Sequence, residues 1–243
     1  MSKQAFICAH RGDSGSCPEN TIPAFEKAVA LGCEMIEFDV RSTADGRMVL
    51  LHDPSVDRTT DGLGNIWELS FDEVREFDAC ASFSALSGVR IPTFEEALDY
   101  FPRDIELNIH VYPGPDDGQS LVASVCNEIA SRDLYSDAFT AGSAEVMNLV
   151  IREDSKVRRC LLGCQNQPES YARRASELGC TNSQPLNSIT TKEFCDEAHA
   201  LGLTVHPFYA DDETEMIRLI QCGVDGILTN YPERMVRLLE QQG

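Results

Sequence analysis

The sequence predicts an α/β protein built as a (β/α)8 barrel, and three observations carry that expectation. A helix-like stretch ending in Leu or Cys, then Gly, then a short apolar run recurs at Leu31-Gly32, Leu178-Gly179, Leu201-Gly202 and Cys222-Gly223. Glycine there suits the left-handed residue that ends a helix. The last three repeats lie 23 and 21 residues apart, the length of one helix and one strand with tight loops. Second, nine apolar or β-branched runs read as strands: 6–9, 35–40, 48–51, 105–111, 138–141, 157–162, 181–184, 203–208 and 226–229. Third, residues 8–13 read CAHRGD and lack the glycine fingerprint of a doubly wound dinucleotide-binding sheet, the competing architecture. With 243 residues, 42% of them hydrophobic, the chain can bury the core of one domain spanning 1–243.

Taken in order, the first strand follows residues 1–4 directly, with no cleavable apolar segment ahead of it. No apolar run approaches the roughly 18–20 residues of a membrane span, so no stable membrane anchor and a cytoplasmic location are expected. Ile22, Phe25 and Val29 share one helix face; Asn20 or Thr21 can cap that helix, Pro23 fits its first turn, and Gly32 ends it. The second and third strands are separated only by 41–47, with Asp45-Gly46 at the turn. That hairpin leaves no room for a crossover helix, so one of the two is expected outside the parallel barrel. Residues 54–92 are longer than most loops and carry Gly62, Gly64, Gly88 and several charges; they read as an excursion inserted after the His52 strand, over one barrel face. Amphipathic spacing then marks helices at Leu121, Val125 and Ile129 and at Met216, Ile217, Leu219 and Ile220.

Forty acidic against twenty basic residues, a net charge of −20, argue against a nucleic-acid binder, whose affinity comes from cations that neutralise phosphates. The bland reading of that charge is a solvated acidic surface. Five of the ten cysteines, Cys8, Cys33, Cys126, Cys180 and Cys222, sit in or beside apolar stretches, as small buried hydrophobes do. Cys160 and Cys164 lack the paired CxxC spacing of a zinc site.

Chemistry is suggested by His10, His52 and His110, which fall at the C-terminal ends of short apolar strands, where barrel active sites lie. Glu37 and Asp39 are two apart in one strand and therefore share a face, while Ile36, Phe38 and Val40 occupy the other and need a cover of helices. The two carboxylates are thus expected to point into the barrel, where a cation would neutralise them, Mg²⁺ or Ca²⁺ by ligand type. A further strand places Glu106, Asn108 and His110 on one face, followed by Tyr112. Either Glu106 or His110 can be the third ligand; His110 is nearer the rim, and Glu106 could equally pair with an Arg.

These residues belong to longer motifs. They are His10-Arg11-Gly12 with Pro18-Glu19-Asn20-Thr21, then 36–40 (IEFDV), Asp45-Gly46, His52-Asp53 with 58–62 (RTTDG), Ile91-Pro92-Thr93, and 223–232 (GVDGILTNYP). In that order they resemble the glycerophosphodiester phosphodiesterase family, whose barrel is similar to that of phosphoinositide-specific phospholipases C. The resemblance implies hydrolysis of glycerophosphodiesters to sn-glycerol 3-phosphate and an alcohol, with His10 and His52 as the acid–base pair. It further implies one divalent cation on Glu37 and Asp39, and Arg11 on the phosphate of a small-molecule substrate.

The departures from the family pattern are local. Where the family usually reads Asn-Ile-Glu-Ile-Lys, this chain reads Asn108-Ile109-His110-Val111-Tyr112. His110 then stands at the third metal ligand and Tyr112 at a phosphate-binding Lys, leaving little cationic help beyond Arg11. Phe208 stands where many members have Trp, as an apolar wall beside the leaving group, and Asn230 where Asp is common. The competing functions are a cation- and diester-binding barrel without turnover and a lysophospholipase D-like phosphodiesterase. The latter would want an apolar entrance, which the charged 54–92 excursion does not suggest.

Overall fold

The computed structural model describes residues 5–81, 83 and 86–242; residues 1–4 and part of the excursion therefore lie outside the described residues. The described residues form nine strands, β1 Phe6–His10, β2 Met35–Ser42, β3 Met48–Leu50, β4 Glu106–Val111, β5 Ala138–Gly142, β6 Arg158–Leu161, β7 Asn182–Ser183, β8 Thr204–Val205 and β9 Gly226–Thr229. Eight of them pair in parallel in the order β8-β7-β6-β5-β4-β2-β1-β9, while β3 pairs antiparallel with β2 off this path. The hairpin expectation thus holds, with β3 as the strand outside the barrel. Asp225 N–H donates to Val205 O (2.9 Å), Leu228 N–H to Pro207 O (3.1 Å) and Ala210 N–H to Leu228 O (3.0 Å), which joins the β9 end to the β8 end.

Helices α1 Ile22–Ala30, α2 Phe71–Glu76, α3 Phe94–Tyr100, α4 Gly118–Ser131, α5 Ala144–Glu153, α6 Tyr171–Glu177, α7 Lys192–Ala200, α8 Glu213–Cys222 and α9 Pro232–Gln242 alternate with the strands or follow them. Their apolar faces meet the outward side chains of the barrel: Ile36, Phe38 and Val40 of β2 are fully buried against a core that includes Phe25, Phe94 and Phe101. The inward side chains Cys8, Met35, Phe139, Ala141, Cys160 and Leu228 fill the barrel, as period-two alternation requires. The glycines after α1, α6, α7 and α8 all take the left-handed conformation the sequence suggested.

The cap of α1 differs from the expectation. Thr21 is the N-cap residue but its side chain makes no capping bond and its hydroxyl donates to Pro18 O instead. Asn20 is diverted to Asp39, where its amide bonds both the main-chain N–H and the carboxylate. Residues 54–92 carry a 3-10 turn at Ile66–Glu68 and α2, which Ser70 and Glu73 close with a reciprocal capping box. Val56, Ile66, Val74, Ala79 and Ile91 of this stretch form a small separate core on Val49 and Leu51 beside β3.

Register places the chemistry. Parallel pairing sets His10 beside Glu37, and Asp39 beside His110, at the C-terminal ends of three adjacent strands. Gly12 lets the chain leave β1 at that rim: its φ is +77°, and a Cβ there would lie 2.7–2.8 Å from the Ala24 backbone and side chain. A Gly12→Ala variant should lose at least about 1–3 kcal/mol, the cost of a strained left-handed residue, to which the clash adds. Urea unfolding measures it, and an unchanged midpoint would refute the role given to Gly12.

Candidate active site

At the C-terminal rim a cavity of about 400 Å³ is lined by His10, Arg11, Arg41, His52, His110, Tyr112 and Phe208, and also by the apolar Val111, Val146, Leu162 and Leu228. Glu37 and Asp39 are fully buried beside it, within ion-pair distance of residues that line it. All eight residues singled out from the sequence thus gather at one place. Glu106 does not: it pairs with Arg158 at 2.6 Å, and the ligand atoms that converge belong to Glu37, Asp39 and His110.

His110 Nδ1 lies 3.1 Å from Glu37 Oε1 and 3.8 Å from Asp39 Oδ1. Glu37 Oε1 and Asp39 Oδ1 are buried and accept no hydrogen bond, so each offers a free oxygen to the same point as His110. One ligand atom from each of the three residues lies within 4.8 Å of the others. Buried carboxylate oxygens without donors are costly, and a divalent cation would supply the missing partner. The residues present fit such an ion: two carboxylates and a neutral imidazole. His110 Nε2 lies 3.1 Å from Gln184 Oε1, an acceptor. With Nε2 donating to Gln184, Nδ1 would keep its lone pair for the ion.

The same burial sets the protonation states. Burial, reinforced by Asp39, raises the Glu37 carboxyl well above the usual range. Burial also opposes ionisation of Asp39, but Arg11, His110, His52 and the Asn20 amide outweigh it and hold that carboxyl below its ordinary value. His10 and His110 are both pushed down to about 4, chiefly by burial, and are neutral imidazoles near pH 7.

Each of the other two histidines is oriented through Nδ1. Asp211 accepts a hydrogen bond from Asn230 Nδ2 at 2.7 Å and another from its main-chain N–H at 2.9 Å. Asn230 Oδ1 is thereby turned toward His10 Nδ1, 2.7 Å away. The His10 proton sits on Nδ1 and the Nε2 lone pair is left free. His52 Nδ1 is 2.7 Å from Asp53 Oδ1; Asp53 is held down to about 2 by its bond to Arg58, against a partial burial, with His52 assisting. Arg58 also grips Glu19 with both terminal nitrogens, and Glu19 accepts from Arg11, which lies 3.2 Å from Asp39. One chain of ion pairs therefore runs from His52 through the excursion to the buried carboxylates.

Arg11 has a positive φ of 57°, and its N–H donates to both the carbonyl and the carboxylate of Glu37 at 2.9 Å. Tyr112 stands edge-on to His52, with ring centroids 5.4 Å apart, and its hydroxyl is 3.5 Å from His110 Nδ1. Phe208 is half-buried on the cavity wall. Next to it, Tyr209 stacks on His10 with centroids 5.5 Å apart. Sequence reasoning missed Tyr209, Asp211, Gln184, Asp53 as a positioning group, and Arg41. The signal for Asp53 was present in the His52-Asp53 motif; those for Gln184 and Asp211 were not, since each lies far along the chain from its partner.

A parallel eight-stranded barrel with paired histidines and buried carboxylates at its C-terminal rim defines a (β/α)8-barrel enzyme. Comparison with known proteins narrows the class. Residues 10–234 match the glycerophosphoryl diester phosphodiesterase family. Glycerophosphodiester phosphodiesterases of Bacillus altitudinis and Caldanaerobacter subterraneus are 31% and 29% identical, over 97% and 99% of this chain and 98% and 100% of theirs. The fold matches a glycerophosphodiester phosphodiesterase from Agrobacterium tumefaciens (TM-score 0.85, 22% identity, 96% of this chain and 100% of that one). It equally matches a phosphodiesterase from Oleispira antarctica in complex with the product sn-glycerol-3-phosphate (TM-score 0.85, 22% identity, 97% and 96%). The chain belongs to the glycerophosphoryl diester phosphodiesterase family.

The Gln184 contact yields a direct prediction. Replacing Gln184 by Ala should weaken binding of a divalent cation at Glu37, Asp39 and His110 about 10–100-fold, the usual effect of losing the group that orients a ligand imidazole. Isothermal titration of the folded variant measures it, and an unchanged affinity would remove Gln184 from the site.

Proposed function

We propose that the protein hydrolyses small-molecule glycerophosphodiesters to sn-glycerol 3-phosphate and an alcohol, with His10 and His52 as the acid–base pair. The observation that carries this reading is the pair of imidazoles on one cavity, each bonded through Nδ1 so that Nε2 is left for the substrate. Glu37, Asp39 and His110 would hold one divalent cation, Mg²⁺ or Ca²⁺, which supplies charge stabilisation at a phosphoryl oxygen.

In this mechanism one imidazole, its Nε2 lone pair free, takes the proton from the attacking oxygen, whether water or the neighbouring glycerol hydroxyl, and the other enters the step protonated on Nε2 and hands that proton to the departing alkoxide. Arg11 binds the phosphate from the rim while Glu19 and Asp39 hold its guanidinium in place. Phe208 and the apolar residues beside it receive the alcohol. The apolar lining residues also support a second reading, lysophospholipids as substrates, for which lysophosphatidylcholine is the test substrate.

We read residues 1–243 as one catalytic domain with 54–92 inserted, since that stretch supplies Arg58 to the site. All ten cysteines are free, which favours a reducing compartment such as the cytoplasm; among the described residues no helix is long and apolar enough to cross a membrane.

Release of sn-glycerol 3-phosphate from glycerophosphocholine tests the proposal. His10→Ala and His52→Ala should each lower kcat by roughly 10² or more, and full activity in both would refute the assignment. Chelation with EDTA should abolish turnover, and added Mg²⁺ or Ca²⁺ should restore it; undiminished hydrolysis in EDTA would exclude the cation.

A further inference from the structure

β2 carries a third inward-facing charged residue. Glu37, Asp39 and Arg41 are spaced by two and share one face of the strand. Arg41 is 7% exposed and lines the catalytic cavity. Its Nε and Nη2 donate to His52 O at 2.9 and 2.6 Å, and its Nη1 to Tyr112 O at 3.3 Å. The guanidinium carbon lies 5.2 Å from the centre of the Tyr112 ring, a cation–π contact.

Among the described residues no carboxylate forms an ion pair with Arg41, in a chain with twice as many acids as bases. The other two guanidiniums near the site are neutralised: Arg11 by Glu19 and Asp39, and Arg58 by Glu19 and Asp53. Asp39, Asp53 and Asp117 act on Arg41 only through space, so this buried cation, bonded directly to carbonyls alone, has no carboxylate in contact with it. Of the five N–H groups of a guanidinium, the three carbonyl contacts leave one on each terminal nitrogen, a pair suited to two oxygens of a phosphate.

We propose that Arg41 is a second phosphate-binding residue of this site, supplying from β2 the charge that a Lys at position 112 would otherwise bring, with the Tyr112 ring holding it in place. This rests on the phosphodiesterase reading above. It assigns Tyr112 a role: an aromatic side chain at 112 stacks on a buried guanidinium, whereas an ammonium there would repel it.

The test compares wild type, R41Q and R41Q/Y112K, each loaded with the cation, by calorimetric binding of sn-glycerol 3-phosphate, by KM and kcat for glycerophosphocholine, and by thermal melting. R41Q should bind sn-glycerol 3-phosphate about tenfold more weakly or worse, the scale of one charged hydrogen bond, and KM should rise. Lys at 112 in the double variant should recover most of the affinity. A folded R41Q that binds within about twofold of wild type, the sensitivity of the comparison, overturns the proposal. So does a loss that follows the melting temperature and is not recovered by Y112K, which marks a purely structural clamp on His52. Should R41Q fail to fold, a crystal structure of wild type with sn-glycerol 3-phosphate decides: an Arg41 nitrogen bonded to a phosphate oxygen supports the proposal, and a phosphate held without Arg41 refutes it. Wild type that binds sn-glycerol 3-phosphate through Arg41 but hydrolyses no diester would sink the proposed reaction and leave this inference standing.

Discussion

Two carboxylates, Glu37 and Asp39, lie side by side on the inward face of β2 and are fully buried, and the site is arranged around that repulsion. Isolated charges at that depth would be prohibitive. The fold answers with donors on one side and leaves the other open. The Arg11 N–H and the Asn20 amide each bond one carboxylate oxygen, and Arg11 Nε lies 3.2 Å from Asp39. The oxygens left without donors converge with His110. Unsatisfied polar atoms inside a folded protein are rare enough that their convergence is informative. Backbone strain is accepted at the same place: Arg11 and Asn20 both take left-handed conformations, each held by the hydrogen bonds it makes to β2.

The histidines are positioned by a different logic. His10 is steered by a neutral amide that is itself aligned by Asp211, and His52 by a carboxylate anchored on Arg58. Because Arg58 comes from the 54–92 excursion and also holds Glu19, that stretch is mechanically tied to the β1 loop and to Arg11. The excursion brings its own small core, which gives Arg58 a rigid base. An Asn at 230 in place of an Asp brings the same acceptor to His10 without adding another negative charge to an already acidic cluster.

The net charge of −20 would by itself repel an anionic diester, and a surface of that sign is poor at attracting one. Inside the cavity the balance differs. Arg11 and Arg41 both line it, and a divalent cation on the carboxylates would reverse the local sign. The sequence leads to an expectation of little cationic help beyond Arg11; in the structure Arg11 pairs with Glu19 and Asp39, whereas Arg41 bonds carbonyls and forms no ion pair with a described carboxylate.

Arg41 also shows why some of the site was legible in the sequence and some was not. The apolar pattern marks β2 over 35–40 and leaves Arg41 to the 41–47 connection that carries Asp45-Gly46; pairing with β3 extends the strand to Ser42 and makes Arg41 its next inward position. Asn20 reads locally as a helix cap, and only the arrival of β2 beside it supplies the better partner, Asp39. Glu106 and His110 were equivalent by period-two alternation, and the packing of Arg158 from β6 separated them. What the sequence determined alone was whatever depends on short-range periodicity and turn chemistry: the alternating strands and helices, the glycine-ended helices, the shared face of Glu37 and Asp39, and the motif residues at strand ends. Tertiary structure decided the partners of each polar group, because hydrogen bonds and ion pairs between residues tens to hundreds of positions apart are set by strand register and barrel closure, which no local pattern encodes.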